Sequence, residues 1–246
     1  MSPVVTVALL AAIGVVLGPT LHHLGVRAGA RRPFDGAVPR CETCESHRWP
    51  LAMRCQDGHP VRGREPWIWL ASGVTFAASG VVTQGEWWLL PAYLVVAATS
   101  IVLLVTDIDH KLIPNRVLYP ATAAAVGLLV AGGLLEGRAD RLPPAAMAGA
   151  GYFAVLFVVY LVARGGFGFG DVKLAFILGA VTGFQSQRTV LMAVFFTGVI
   201  GGVPAIVLLL TRRARSGDEM PYGPPMLAGA WAALVFGEAF GRMIAG

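Results

Sequence analysis

Residues 87–115 read WWLLPAYLVVAATSIVLLVTDIDHKLIPN. Positions 87–106 pass without a charge, and Asp107, Asp109, His110 and Lys111 then arrive together. A bilayer core of about 30 Å is crossed by about 20 helical residues at 1.5 Å each. The block therefore has the length of one crossing, with an acid set at its end. A carboxylate in hydrocarbon is costly, which makes Asp107 a functional candidate.

Working outward, seven further apolar blocks can be marked. With the first they run over 3–26, 66–84, 87–106, 115–135, 145–164, 171–185, 188–211 and 224–244. Block 3–26 lacks a basic segment before it and a small-residue cleavage site after it, so it reads as a retained helix rather than a secretion signal. Block 171–185 is short for a crossing. No internal repeat stands out, and the frequent Gly and Ala suit close helix packing in lipid. The predicted fold is an all-α, polytopic membrane protein of about eight transmembrane helices with a small cytoplasmic cysteine-containing loop. Its expected divisions are a first transmembrane helix (1–26), the loop (27–65) and a seven-helix membrane domain (66–246).

Composition supports this. Of 246 residues, 56% are hydrophobic and 13% charged, against about 25% charged in a soluble domain, and the mean hydropathy is +0.67. The net charge of +5 comes from 17 Arg and 2 Lys scattered between apolar blocks. That scatter fits loops at an anionic membrane face and excludes a nucleic-acid groove. Residues 27–65 hold eight arginines, and alternate loops add Lys111, Arg116, Arg164, Lys173, Arg212, Arg213 and Arg215. Fifteen of the 19 basic residues thus fall on one side, and only Arg138, Arg141, Arg188 and Arg242 on the other. The rich side is expected to be cytoplasmic, with both termini facing outward.

A second acid, Asp171, opens block 171–185 after Gly166-Phe167-Gly168-Phe169-Gly170. On the alternating topology it shares the side of Asp107. Two carboxylates meeting at one boundary can share a proton, leaving one acid and one base near neutral pH. Such a pair activates water against a peptide carbonyl. The plain structural alternative is that Asp171 caps its helix. Asp109 competes with Asp107, but residues two apart on a helix point about 200° from each other, so only one of them faces Asp171.

The motifs resemble those of a known family. Gly168-Phe169-Gly170-Asp171 is similar to the Gly-x-Gly-Asp signature of intramembrane aspartyl proteases, and Asp171-Val172-Lys173-Leu174 looks like that of prepilin peptidases. Asp107-Ile108-Asp109 running to Ile113-Pro114-Asn115, and Met220-Pro221-Tyr222-Gly223-Pro224-Pro225, resemble that family's first-aspartate and Pro-Phe-Gly-Pro segments. The resemblance implies catalytic Asp107 and Asp171, with Gly168 and Gly170 shaping the approach. It also implies cleavage of the leader from type IV pilin-like precursors at the bacterial cytoplasmic membrane. Asp109, His110 and Lys173 read as boundary or loop residues. A transporter whose acids bind cations, and a structural secretion subunit with a vestigial pair, are the competing classes.

The three cysteines all lie in the loop, as Cys41, Cys44 and Cys55. In a reducing cytoplasm metal binding is the better reading than a disulfide. A structural Zn²⁺ takes four ligands. His59 is the candidate fourth and His47 its rival. Prepilin peptidases commonly carry two Cys-x-x-Cys knuckles here, whereas Gly58 stands in the place of the last cysteine. The family also commonly methylates the new N terminus with S-adenosylmethionine, an activity associated with this loop, which is shorter here than in the family pattern.

Overall fold

The computed structural model describes residues 2–34, 41, 44, 46, 52, 54–59, 64–162, 167–211 and 221–245. It contains eight long helices: α1 (Pro3–Gly29), α2 (Glu65–Val82), α3 (Leu90–His110), α4 (Asn115–Leu135), α5 (Leu142–Val162), α6 (Phe169–Gln185), α7 (Gln187–Leu210) and α8 (Gly223–Ala245). The described residues form no strand. Each predicted block coincides with one helix. Residues 87–89 form a 3-10 turn leading into α3.

Prolines near the starts of α1, α2 and α3 occupy positions where a missing N–H costs nothing. Among the described residues, five spans are long and apolar enough to cross a membrane: Pro3–Gly29, Trp87–His110, Asn115–Leu135, Ala139–Val162 and Gln187–Val207. α2 and α6 are shorter or less apolar. The reason is visible for α6, where 12 of 17 residues are buried against other helices. A helix enclosed by protein has little need of a continuous lipid-facing surface. α3 is the most enclosed of the five spans, with 61% of its apolar window buried against 17–28% for the others. It is the axis of the bundle. By contrast α5 and α7 leave Val155, Leu161, Leu191 and Leu210 exposed, as lipid-facing helices do.

Small residues set the helix spacing. A Cβ on Gly14 of α1 would meet the carbonyl of Ser72 of α2 at 2.6 Å, and one on Gly179 of α6 would meet that of Ala148 of α5 at 2.7 Å. In lipid no hydrophobic force drives helices together, so close backbone approach and its dispersion contacts carry the packing.

Polar contacts tie the bundle at both ends. At one end Tyr93 donates to the Val181 carbonyl (2.9 Å) and accepts from Gln185 Nε2 (2.9 Å). There too Glu86 pairs with Arg138 (2.6 Å) and Arg141 (3.4 Å). At the opposite end the Arg116 guanidinium donates to the carbonyls of Arg27 (2.7 Å), Ala28 (2.9 Å) and Arg32 (2.8 Å). The Arg27 and Ala28 carbonyls also accept the N–H groups of Arg32 (3.0 Å) and Arg31 (3.3 Å), so Arg116 adds a second donor to each and ties the close of α1 to α4. This second end gathers the close of α3 and the starts of α4, α6 and α8. Both aspartates lie there.

Candidate active site

Asp107 lies in the last turn of α3. That helix stops at Lys111, which takes a left-handed conformation (φ 49°) while its N–H bonds the Asp107 carbonyl at 2.9 Å. The chain then turns through Ile113 and Pro114 into α4. Ile113 packs directly on Gly170, where an added Cβ would lie 2.9 Å from the Ile113 Cβ. Gly170 thus lets the end of α3 and the start of α6 close on each other. The φ of Gly168 is −76°, and Gly170 is helical. Neither needs a backbone shape closed to other residues, so what the glycines of the motif supply is space.

Asp171 occupies the third position of α6, and its N–H bonds the Gly168 carbonyl (3.1 Å). The helix cap is Gly168, so Asp171 is not an N-cap. Its side chain is buried, and Oδ1 has no hydrogen-bond partner among the described residues. The two carboxylates stand at the same end of the bundle, one in the last turn of α3 and the other in the first turn of α6. Asp107 is also buried, whereas Asp109 is exposed and forms an ion pair with Arg64. Of the two acids on α3, Asp107 is the buried one.

One partner of the pair escaped the sequence reading. The backbone N–H of Gly223, at the start of α8, donates to Asp107 Oδ2 (3.0 Å). A Cβ on Gly223 would sit 2.7 Å from that oxygen. The neighbouring Tyr222 ring meets Phe167 edge-on at 5.2 Å. The segments preceding α6 and α8 therefore clasp each other beside the carboxylates. The Pro-Tyr-Gly-Pro pattern was the available signal, but nothing in a backbone donor shows in residue type.

Lys173 is directed elsewhere. Its ammonium donates to Asn115 Oδ1 (3.0 Å) and lies 4.8 Å from the Phe169 ring centre. His110 is exposed and packs on Gly29.

The donor atoms of Cys41, Cys44, Cys55 and His59 all lie within 4.8 Å of one another. Cys44 and Cys55 sulfurs are 3.6 Å apart, and Cys55 Sγ is 3.5 Å from His59 Nδ1. Ligands about 2.3 Å from a tetrahedral metal are about 3.7 Å apart, so the four donors fit a metal ion. Gly58 shows why this knuckle ends in histidine. Its φ of +81° closes a turn in which the Gly58 N–H bonds the Cys55 carbonyl and the Cys55 N–H bonds the His59 carbonyl, both at 3.0 Å. That turn brings His59 back onto Cys55, and a cysteine at 58 would be strained there. Burial opposes ionisation of Cys55, but hydrogen bonds from Ser46 and His59 outweigh it and hold the thiol at about 6, as suits a metal-binding thiolate. His47 lies outside the described residues.

Fold and site together define a multi-pass helical membrane protein with two buried carboxylates at one end of its bundle and a Cys₃His cluster in a neighbouring loop. Residues 94–206, which include both aspartates, match the type IV leader peptidase family. It is 27% identical over 241 residues to a prepilin leader peptidase/N-methyltransferase of Bacillus subtilis (strain 168), covering 92% of each chain. A protein of the same name from Stutzerimonas stutzeri is 30% identical over 185 residues, which span 72% of this chain and 60% of that one. Another, from Aeromonas salmonicida (strain A449), is 26% identical over 273 residues, with 94% and 89% covered. No solved structure matches the chain significantly.

Proposed function

We propose that this protein is an aspartyl endopeptidase that removes the leader from type IV pilin-like precursors, with Asp107 and Asp171 as its catalytic pair. The observation that carries the reading is two buried carboxylates that α3 and α6 set at one end of the bundle, one held by Gly223 and the other with an oxygen unpaired among the described residues. Like charges in a site that excludes water favour one shared proton. The ionised carboxylate takes a proton from water as the oxygen adds to the scissile carbonyl carbon. The protonated carboxyl then delivers its proton to the leaving amine as the C–N bond breaks. No covalent enzyme intermediate is needed.

The arginine-rich end of the bundle faces the cytoplasm of a bacterial inner membrane in this reading, following the excess of basic residues in its loops. The precursor presents its leader there while its apolar helix stays in lipid. Since the leader is itself basic, recognition rests on the apolar helix and the scissile segment. The Cys₃His knuckle holds Zn²⁺ as a structural ion, in the loop of residues 27–65 that precedes the membrane domain.

The relatives' names also carry N-methyltransferase. That of B. subtilis does so, and this chain matches it over 92% of its length. Methyl transfer from S-adenosylmethionine to the newly freed amine is the second activity in this reading.

Co-expression with a pilin-like precursor tests the peptidase. The native chain removes the leader, and Asp107→Asn and Asp171→Asn each abolish removal. Full processing by either variant refutes the assignment of the pair. Mass spectrometry of the mature N terminus, unmodified or heavier by one methyl group, decides the second activity.

A further inference from the structure

An apolar groove of about 510 Å³ runs along the bundle beside the carboxylates, walled by α2 and α8 and floored by α3. Its near end is formed by Leu104 and Pro224. Leu104 stands one turn before Asp107, and Pro224 follows the glycine that bonds Asp107. The far end is at Val81 and Phe236. From Pro224 to Phe236 the wall on α8 covers 12 residue steps, about 18 Å at 1.5 Å each.

The lining favours one kind of occupant. No charged residue lines the groove. Its polar side-chain atoms are already engaged: Thr75 Oγ1 donates to the Ser72 carbonyl (3.1 Å), Ser100 Oγ to that of Val96 (2.7 Å), and Trp231 Nε1 to Ser100 Oγ (3.1 Å). The floor therefore asks nothing polar of its partner. Ala71, Ala78, Ala228 and Ala232 keep the walls low, and such surfaces admit a helix backbone to close range in lipid. Val74 and Phe236 at the rim are exposed, while Ile101 and Leu227 below them are buried. The cross-section is that of a trough open to the bilayer.

We infer that this trough seats the apolar helix of the precursor, laid along α8 with its first turn at Pro224 so that the preceding peptide bond falls between Asp107 and Asp171. The inference rests on the peptidase reading and adds where the substrate lies. What selects a helix over a lipid chain as occupant is continuity with the site: the groove ends on the segment that holds Asp107. A substrate whose scissile bond directly precedes an apolar helix fits that junction.

The test uses the full-length chain in phosphatidylcholine vesicles with a precursor of basic leader and apolar helix. A photoreactive benzoylphenylalanine replaces Val74 or Phe236 at the rim, or Val155 or Leu191 on the lipid faces of α5 and α7. Adducts with the precursor's apolar helix are expected from the rim positions and absent from the other two. Separately, Ala228→Trp is expected to raise KM about tenfold with kcat within about twofold, while Leu191→Trp moves neither. Precursor adducts from α5 or α7 instead, or rim adducts to lipid alone, overturn the placement, as does an unchanged KM in Ala228→Trp. If the native enzyme leaves the leader intact, the peptidase reading itself fails. The adduct pattern is read independently of cleavage, so the two failures are distinguished.

Discussion

Gly223 and Asp107 are 116 residues apart in the chain, and the backbone N–H of one holds the carboxylate of the other at 3.0 Å. The contact leaves no room for a side chain: a Cβ on Gly223 would stand 2.7 Å from the oxygen that its N–H binds. Gly223→Ala must therefore push Asp107 aside or tilt the start of α8. Displacements well under 1 Å at a reacting group are costly, so leader removal is expected to fall by about tenfold or more while the helical circular dichroism is kept. Gly151→Ala, whose Cβ meets nothing within 4 Å, serves as the control and should process normally.

Asp109 offers a sharper test of which acid does the work. It is exposed and paired with Arg64, and an exposed ion pair contributes at most about 1 kcal/mol. Asp109→Asn is expected to retain leader removal within about twofold, with little loss of thermal stability. Asp107→Asn should process nothing. Equal loss in both variants would mean that the end of α3, rather than one carboxylate, is what matters.

The Cys₃His knuckle predicts about one zinc per chain in purified protein. Cys44→Ser and His59→Ala should each lower that content, because each removes one of four donors that lie within 4.8 Å of one another. Plasma emission spectroscopy measures it directly. Gly58→Ala probes the turn rather than a ligand: with φ at +81°, it should weaken zinc retention although no donor is lost.

Arg116 should act on stability. Its guanidinium closes three carbonyls at the end of α1, and a charged hydrogen bond contributes about 1.5–3 kcal/mol when buried and less at an exposed position such as this. Arg116→Ala is expected to lower the melting temperature in detergent by a few degrees. Arg116→Lys should recover only part of it, since an ammonium cannot span carbonyls from three residues as the planar fork does.

How far the sequence led depended on whether a feature leaves a mark in residue type. The helices were legible because an uncharged run of about 20 residues has few other uses, and Asn115–Leu135 was placed to the residue. Helical geometry said only that Asp107 and Asp109 could not both turn inward, and the choice of Asp107 came from the family resemblance; Asp107 is the buried one of the two. The Cys₃His set was legible from spacing, although the reason for Gly58 was not, because it lies in a backbone angle. The role of Gly223 was hidden for the same reason: a main-chain donor is common to every residue except proline. The enclosure of Phe169–Gln185 was not legible, because an apolar run reads the same whether lipid or neighbouring helices cover it.

The grip of Arg116 on α1 also bears on how the chain is made. Arg116 belongs to the first turn of α4, yet the carbonyls that it closes belong to residues 27, 28 and 32. During synthesis this tie between the close of the first helix and α4 cannot form until more than eighty further residues have left the ribosome. A nascent chain stopped before α4 would carry its first helix without that tie, and the insertion machinery would be holding a piece that a later segment locks in place.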